Sequence, residues 1–367
     1  MKTDPIRIAG AGLSGLSAAI CLAQRGHSVE ILERNRESGQ TRHADWDAIE
    51  NWTTEEDFLA CLAGWGIEPF FENRAPLWFE VYDPKGDCYR VELPRPFFYL
   101  LKRGTGPGSI EQTLKEQALA HGVTIHYNRA AAQDEVDIWA AGARSAGFFL
   151  GTGITFRTKH PDVVAGLVDT LAAPKAYAYL VIVDGFATLS VVLTRDFKQA
   201  RGYLEYCLKA FQRYKSFDMQ DVRQTSGFGG LVSAFWQTPS HLITVGEAAG
   251  LQDFLWGFGI RHALHSGHLA ARALDEGLEY SKLVARDIHP LVRASIINRM
   301  FYDRVGNRAY TALIRHFAAS QDLPSRIRPW YRGLPLHRIM WPLAERRYRP
   351  EKQGDTPSGP RGDSAPV

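Results

Sequence analysis

No stretch of this 367-residue chain runs for about 18 uncharged apolar residues, so none reads as a membrane-spanning helix. Cysteine is scarce: Cys21, Cys61, Cys88 and Cys207 stand far apart, with no Cys-x-x-Cys pair and no metal-ligand spacing. That pattern excludes a disulfide framework and a zinc module, and it fits reduced, mostly structural thiols in a cytoplasmic protein. His262, His265 and His268 recur at helical spacing, but no carboxylate joins them in a ligand pattern. The expectation is a solvated or internally satisfied helix face and no metal. Neither sign of charge dominates: 43 basic and 40 acidic residues leave a formal charge of +3, and no nucleic-acid motif is present. The first residues are expected to enter a strand at once, so no signal peptide is expected. The 45% hydrophobic and 23% charged fractions are those of a globular protein long enough to form two lobes.

What the chain does have is glycine in two telling places. Ile6 to Ala9 reads as a buried strand and runs into Gly10-Ala11-Gly12-Leu13-Ser14-Gly15. In such a turn the first glycine permits the bend, the second lets backbone approach a pyrophosphate, and the third lets the following helix pack close. That helix, residues 13–24, offers its N-terminal amides to phosphate and stops at Gly26. A second strand, residues 28–32, ends at Glu33, with Arg34 beside it at the nucleotide end. An acid about 20 residues past the glycines suits a ribose hydroxyl and disfavours a 2′-phosphate, pointing to an unphosphorylated adenosine.

The second glycine segment lies some 230 residues later. Ile243 to Val245 leads into Gly246-Glu247-Ala248-Ala249-Gly250, and Gly257-Phe258-Gly259-Ile260 opens a helix over residues 261–274. Small residues there let backbone amides face a flavin and its ribityl chain, while Glu247 accepts from a ribityl hydroxyl. The helix N-terminus near Ile260 favours negative charge on a reduced flavin. A dinucleotide turn at the start and this segment at the end together point to FAD.

Between them the elements alternate. Residues 34–52 read as a polar and aromatic loop, and Thr53 or Thr54 with Glu56 is expected to cap a helix over 55–64. Paired strands follow at 76–82 and 89–93, then a strand at 97–102 and a helix at 109–121. Strands are expected at 122–127 and 137–142, several more within 151–196, and a helix at 197–215. The resulting fold is α/β: a Rossmann-type FAD-binding domain (1–50, 103–150, 225–275) interleaved with a β-sheet substrate domain (51–102, 151–224). A helical C-terminal region (276–350) and a disordered tail (351–367) follow.

Over residues 4–275 the chain resembles the geranylgeranyl reductase-like branch of the FAD-dependent hydroxylase and reductase fold. The resemblance rests on Gly246-Glu247-Ala248-Ala249-Gly250-Leu251-Gln252-Asp253, Gly257-Phe258-Gly259-Ile260 and Ala263-Leu264-His265-Ser266-Gly267. Ala141-Gly142-Ala143-Arg144-Ser145 is similar to the family's middle glycine motif. Arg103 matches an arginine on the flavin side of the cofactor, and Tyr177-Ala178-Tyr179 is similar to a Tyr-x-Trp motif of the substrate sheet. Glu247 stands for the usual Asp, Phe254 for the usual Pro, and the Phe-Pro after Tyr-x-Trp is replaced by Leu180-Val181-Ile182. Gly250 and Ile260 differ from the His and Asn of aromatic hydroxylases, and the halogenase Trp-x-Trp-x-Ile-Pro motif is absent.

The resemblance implies reduction of C=C bonds in a hydrophobic isoprenoid or polyprenyl lipid. An FAD monooxygenase and a flavin-binding protein with a non-catalytic partner role are the alternatives. The electron donor stays open between NAD(P)H and ferredoxin, and oligomeric state is unreadable. Trp46, Trp52, Tyr177, Phe254 and Trp256 are expected to line the substrate pocket, and Tyr179, Tyr99, His43 and Glu50 are candidate proton donors. From Lys282 to Arg349 the chain carries 14 basic residues against 4 acidic ones, with aromatics interleaved. That composition suits either an anionic membrane surface or a helical cap whose arginines pair internally.

Overall fold

The computed structural model describes residues 4–42, 44–142, 147–230, 242–332 and 335–349. His43, three residues of the middle glycine motif (143–145) and the tail 351–367 lie outside the described residues.

The chain closes a five-stranded parallel sheet in the order Ile243–Thr244, Ile138–Trp139, Ile6–Ala9, Val29–Leu32, Thr124–His126. Ile8, Ile31 and Ile138 are fully buried in it, which a parallel sheet covered on its faces demands. Helix Leu13–Ala23 follows the first strand, and Leu16, Ala19 and Ile20 at helical spacing are fully buried. It packs against the late helix Ile260–Glu276, and the Ser17 hydroxyl donates to the Leu264 carbonyl at 2.7 Å. Helix Ile110–Ala120 packs against it too; Ser109 caps its N-terminus by accepting from the Gln112 amide.

A seven-stranded sheet forms the second layer: Gln220–Gly229, Phe149–Arg157, Phe186–Leu193, Tyr177–Val183, Val163–Leu167, Trp78–Tyr82, Cys88–Glu92. Its core face, with Ala178, Leu180, Ile182, Ala187, Leu189 and Val191, is covered by helix Ala200–Lys215 through Cys207, Ala210 and Phe211. The strand Gln220–Gly229 carries this sheet past the expected domain boundary at 225. A three-stranded sheet of Trp46–Glu50, Phe98–Lys102 and Asn73–Arg74 joins the lobes.

Two local expectations are corrected. Residues 46–50 form a strand paired to Phe98–Lys102, not a loop. The next helix starts at Phe58, because Asp57 rather than Thr53 or Thr54 supplies the cap, its carboxylate accepting from the Leu59 and Ala60 amides.

The C-terminal region is helical, as Tyr280–Asp287, His289–Tyr302, Asn307–Ala318, Leu323–Ile327 and Pro335–Tyr348. Leu283, Val284, Val292, Ile296, Ile297 and Met300 build a separate core with Leu251, Phe254 and Leu269. No helix among the described residues is long and apolar enough to cross a membrane.

Candidate functional site

One cavity of about 1170 Å³ runs from the first glycine turn to the inner face of the seven-stranded sheet. A single small-molecule site occupies roughly 300–1,000 Å³. This volume leaves room for a dinucleotide and part of a second molecule.

The turn end is built for backbone approach. Gly10 has φ +100, and a Cβ there would lie 2.5 Å from the Ala140 carbonyl oxygen. A Cβ on Gly15 would sit 2.0 Å from the Gly10 carbonyl oxygen, so only glycine lets the helix start there. Gly12 differs: a Cβ would meet nothing within 4 Å, and the residue lines the cavity. Its missing side chain leaves space where a pyrophosphate would pass the helix N-terminus.

Glu33 is buried at the cavity wall. One carboxylate oxygen accepts from the Ala11 amide at 2.7 Å, the other from the Asn35 amide at 2.8 Å and its side-chain NH₂ at 2.7 Å. The acid is thereby fixed against the glycine turn, with acceptor capacity left for a ribose hydroxyl. Arg34, Leu13, Ser14 and Gly142 line the same end.

Arg103 also reaches the wall, but its guanidinium is held by Glu111 at 2.7 Å and Asp47 at 2.6 Å. These acids hold its pKa above the ordinary arginine value against the opposing effect of burial. The sequence pointed to Arg103 and missed its two carboxylate partners, which lie on other elements.

At the far end Glu247, Gly257, Phe258, Gly259 and Ile260 line the cavity. Gly246 lies behind them and donates its amide to the Ser266 hydroxyl at 2.8 Å. Asp253 shapes the loop: its carboxylate accepts from the Trp256 amide at 2.6 Å, its carbonyl from the Gly257 amide, and its amide donates to the Phe258 carbonyl. Burial pushes the Asp253 carboxyl up to about 6. Gln252, absent from the expected site, lines the cavity and donates to the Gly257 carbonyl at 2.6 Å. Its amide sat in the sequence motif with no feature marking it as a loop brace.

The fit to FAD is good at both ends: an open glycine cradle with a fixed acid, and a glycine loop leading into a helix N-terminus.

The substrate end follows from strand alternation. Tyr177, Tyr179 and Val181 point into the cavity while Ala178, Leu180 and Ile182 point into the core. Their cross-strand partners Val192, Ser190 and Thr188 line it too. Trp46, Phe79, Phe98, Leu100 and Trp256 complete a mainly apolar wall.

Two expected pocket residues stand behind the wall. Trp52 stacks on Phe97 at 4.3 Å and meets Phe258 edge-on at 5.0 Å. Phe254 turns into the C-terminal core against Phe148, its amide donating to the Ser295 hydroxyl.

Of the candidate donors, Tyr179 is on the wall, and burial holds its hydroxyl far above the ordinary tyrosine range. Tyr99 is turned away and donates to Asp57 at 2.5 Å. Glu50 is 1% exposed and off the cavity wall; neither carboxylate oxygen has a hydrogen-bond partner, and burial pushes it up to about 8 against the pull of Arg261. His262, His265 and His268 are pushed down to about 3, 4 and 3, chiefly by burial, and His265 and His268 stack on Trp65. No cluster of metal-binding side chains occurs among the described residues.

Residues 6–89 match the FAD dependent oxidoreductase family. The chain has the FAD-dependent oxidoreductase fold. It is similar to a geranylgeranyl bacteriochlorophyll reductase-like protein from Thermoplasma acidophilum (TM-score 0.70, 16% identity, 94% of this chain and 98% of that one). A flavin-dependent brominase aligns at TM-score 0.60 and 13% identity over 93% of this chain and 99% of its own. A p-nitrophenol 4-monooxygenase from Pseudomonas putida aligns at 0.56 and 16% over 93% and 96%. No curated protein sequence matches the chain.

Proposed function

We propose that this FAD-dependent oxidoreductase reduces C=C bonds of a long apolar molecule of the isoprenoid or polyprenyl class. The observation that carries the reading is the substrate wall. Trp46, Phe79, Phe98, Leu100, Tyr177, Val181 and Trp256 offer apolar surface continuous with the flavin loop. The likeness to a geranylgeranyl bacteriochlorophyll reductase-like protein supports it.

Bound and reduced, the cofactor would supply the hydride for one carbon of the double bond. The chain does the rest. The glycine turn and Glu33 would hold the adenosine half, and the loop from Asp253 to Ile260 would hold the flavin half. The apolar wall excludes water that would otherwise compete at the reacting carbon. Tyr179 puts a hydroxyl on the wall that burial keeps protonated in the neutral range; it is the candidate donor to the second carbon, though the same burial weakens it as an acid. Ser190, its cross-strand partner, also faces the cavity, and its hydroxyl donates to the Thr152 carbonyl at 3.2 Å.

A monooxygenase acting on a hydrophobic molecule is the second reading, favoured by the fold likeness to the p-nitrophenol enzyme. Anaerobic turnover with chemically reduced enzyme and a polyprenyl substrate separates the two. A product that gains two hydrogens without oxygen supports the reductase. A product formed only in air, gaining one oxygen atom, overturns it. Reduction of the flavin by NAD(P)H or by a ferredoxin, tested side by side, identifies the donor.

A further inference from the structure

The last described helix, Pro335–Tyr348, is apolar on two opposite faces. Its inner face, with His337, Met340, Trp341, Ala344 and Tyr348, packs on the core around helix His289–Tyr302. Arg293 sits over the Trp341 ring at 5.2 Å and helps fix that face. The inner face accounts for the helix's place in the fold.

The outer face has no such account. Leu336 is 50% exposed, Ile339 74% and Leu343 50%, a ridge at positions i, i+3 and i+7. Pro335 and Pro342 are exposed beside it. A water-facing helix surface ordinarily carries polar side chains at these positions. Around the ridge stand the exposed Arg338, Arg346, Arg347 and Arg349, of which Arg347 also reaches the Asp303 carboxylate at 4.0 Å. The helix carries one acid, Glu345, and Arg349 holds it at 2.6 Å. Bare aliphatics framed by arginines, with no free acid among them, match a lipid surface whose headgroups are anionic.

The arginines elsewhere in this region are spent differently. Arg299 is buried against Asp303 at 2.9 Å, Arg286 pairs with Asp287 at 2.6 Å, and Arg328 and Arg332 reach Glu55. The internal-cap reading therefore holds for those positions, and the outer face of the last helix is where basic charge and bare apolar surface coincide.

We infer that this face is a docking surface for an anionic phospholipid bilayer, with Leu336, Ile339 and Leu343 entering the headgroup boundary and the arginines meeting phosphate. The helix also lies near the cavity. Tyr348 meets Phe148 edge-on at 5.9 Å, and the next residue, Phe149, lines the cavity wall. The inference is independent of the substrate assignment: vesicle binding requires no turnover.

The test is co-sedimentation of the full chain with vesicles of phosphatidylcholine alone and with added phosphatidylserine. Stronger binding to the anionic vesicles, weakened in molar salt, is expected, because charge attraction is screened over about 3 Å at 1 M salt. The double variant Ile339→Asp/Leu343→Asp should lower the partition constant at least about tenfold. Arg338→Glu/Arg346→Glu should do the same on anionic vesicles only, each lost arginine counting for about fivefold. Leu171→Asp, at an exposed leucine elsewhere on the surface, is the control and should bind like the parent. All these positions are exposed, and circular dichroism confirms folding of each variant. Equal binding to neutral and anionic vesicles, or equal loss in Leu171→Asp, overturns the inference. So does a dimer that Ile339→Asp/Leu343→Asp converts to monomer by light scattering, since the ridge would then be a self-interface.

Discussion

The Tyr177 hydroxyl donates to the Trp256 carbonyl oxygen at 2.7 Å, tying the substrate sheet to the loop that leads into helix Ile260–Glu276. The two rings also meet edge-on at 5.8 Å. The bond spans the seam between the two halves of the cavity, so each half sets the shape of the other. Tyr177→Phe keeps the ring and removes the donor, leaving the loop carbonyl without that partner. FAD affinity, read by fluorescence titration, should fall about five- to tenfold with little change in Tm, the scale of one lost hydrogen bond. Unchanged affinity would show that the loop holds its shape without the sheet.

Gly12 and Gly15 separate binding from folding within one motif. A side chain on Gly12 enters open space in the cradle, whereas one on Gly15 collides with the Gly10 carbonyl oxygen. Gly12→Val should fold normally and purify without flavin absorbance. Gly15→Val should fail to give soluble, cooperatively folding protein. Soluble Gly15→Val with a normal thermal transition would contradict the packing geometry.

How much of this was legible beforehand depended on whether a feature was local. The strand, the three glycines and Glu33 carry their reasons within 30 residues, and the structure assembles them as expected. The strand Gln220–Gly229 was invisible because its side chains are almost all exposed, which leaves no buried alternation to read. Residues 46–50 read as a loop because Trp46 and Ala48 alternate too briefly with polar neighbours, and their pairing partner lies 50 residues away. Trp52 and Phe254 show the same limit at the site. Sequence supplied the residue type, but the direction each ring takes is set by Phe97, Phe258, Phe148 and Ser295. Arg103 was found, but its commitment to Asp47 and Glu111 is a tertiary fact.

Glu50 should give the protein a distinctive pH dependence. Its folded pKa, about 8, lies above the unfolded value of 4.5, so the folded state binds more protons between those limits. Stability therefore falls as pH rises through that window. The low-pKa histidines, His262, His265, His268, His289 and His337, oppose this only below 6.5, where the unfolded state binds more protons. Asp253, at about 6, has largely ionised by then. Between pH 6.5 and 8 the slope belongs chiefly to Glu50. Glu50→Gln should flatten Tm against pH there and raise Tm at pH 8 by about 2 °C or more. Parallel profiles for parent and variant would mean that the carboxyl is hydrated and ionises freely.

Arg299 and Asp303 make the strongest stability prediction. Both side chains are buried, the guanidinium and carboxylate are 2.9 Å apart, and Arg299 also donates to the Leu255 carbonyl and the Thr194 hydroxyl. It therefore joins the C-terminal helices to the flavin loop and to the end of the substrate sheet. Breaking one side of a buried pair leaves a charge without compensation, a cost of about 3–5 kcal/mol, whereas replacing both partners by apolar groups is often close to neutral. Arg299→Leu should lose about that much in urea unfolding. The double variant Arg299→Leu/Asp303→Leu should recover part of the loss, though not the bonds to the loop and sheet. Arg347 reaches the same carboxylate at 4.0 Å from a half-exposed position, and Tyr348 donates to it at 2.7 Å. If Arg299→Leu cost less than about 1 kcal/mol, those two partners would be sufficient for Asp303, and Arg299 would not be the residue that joins the helical region to the cofactor lobe.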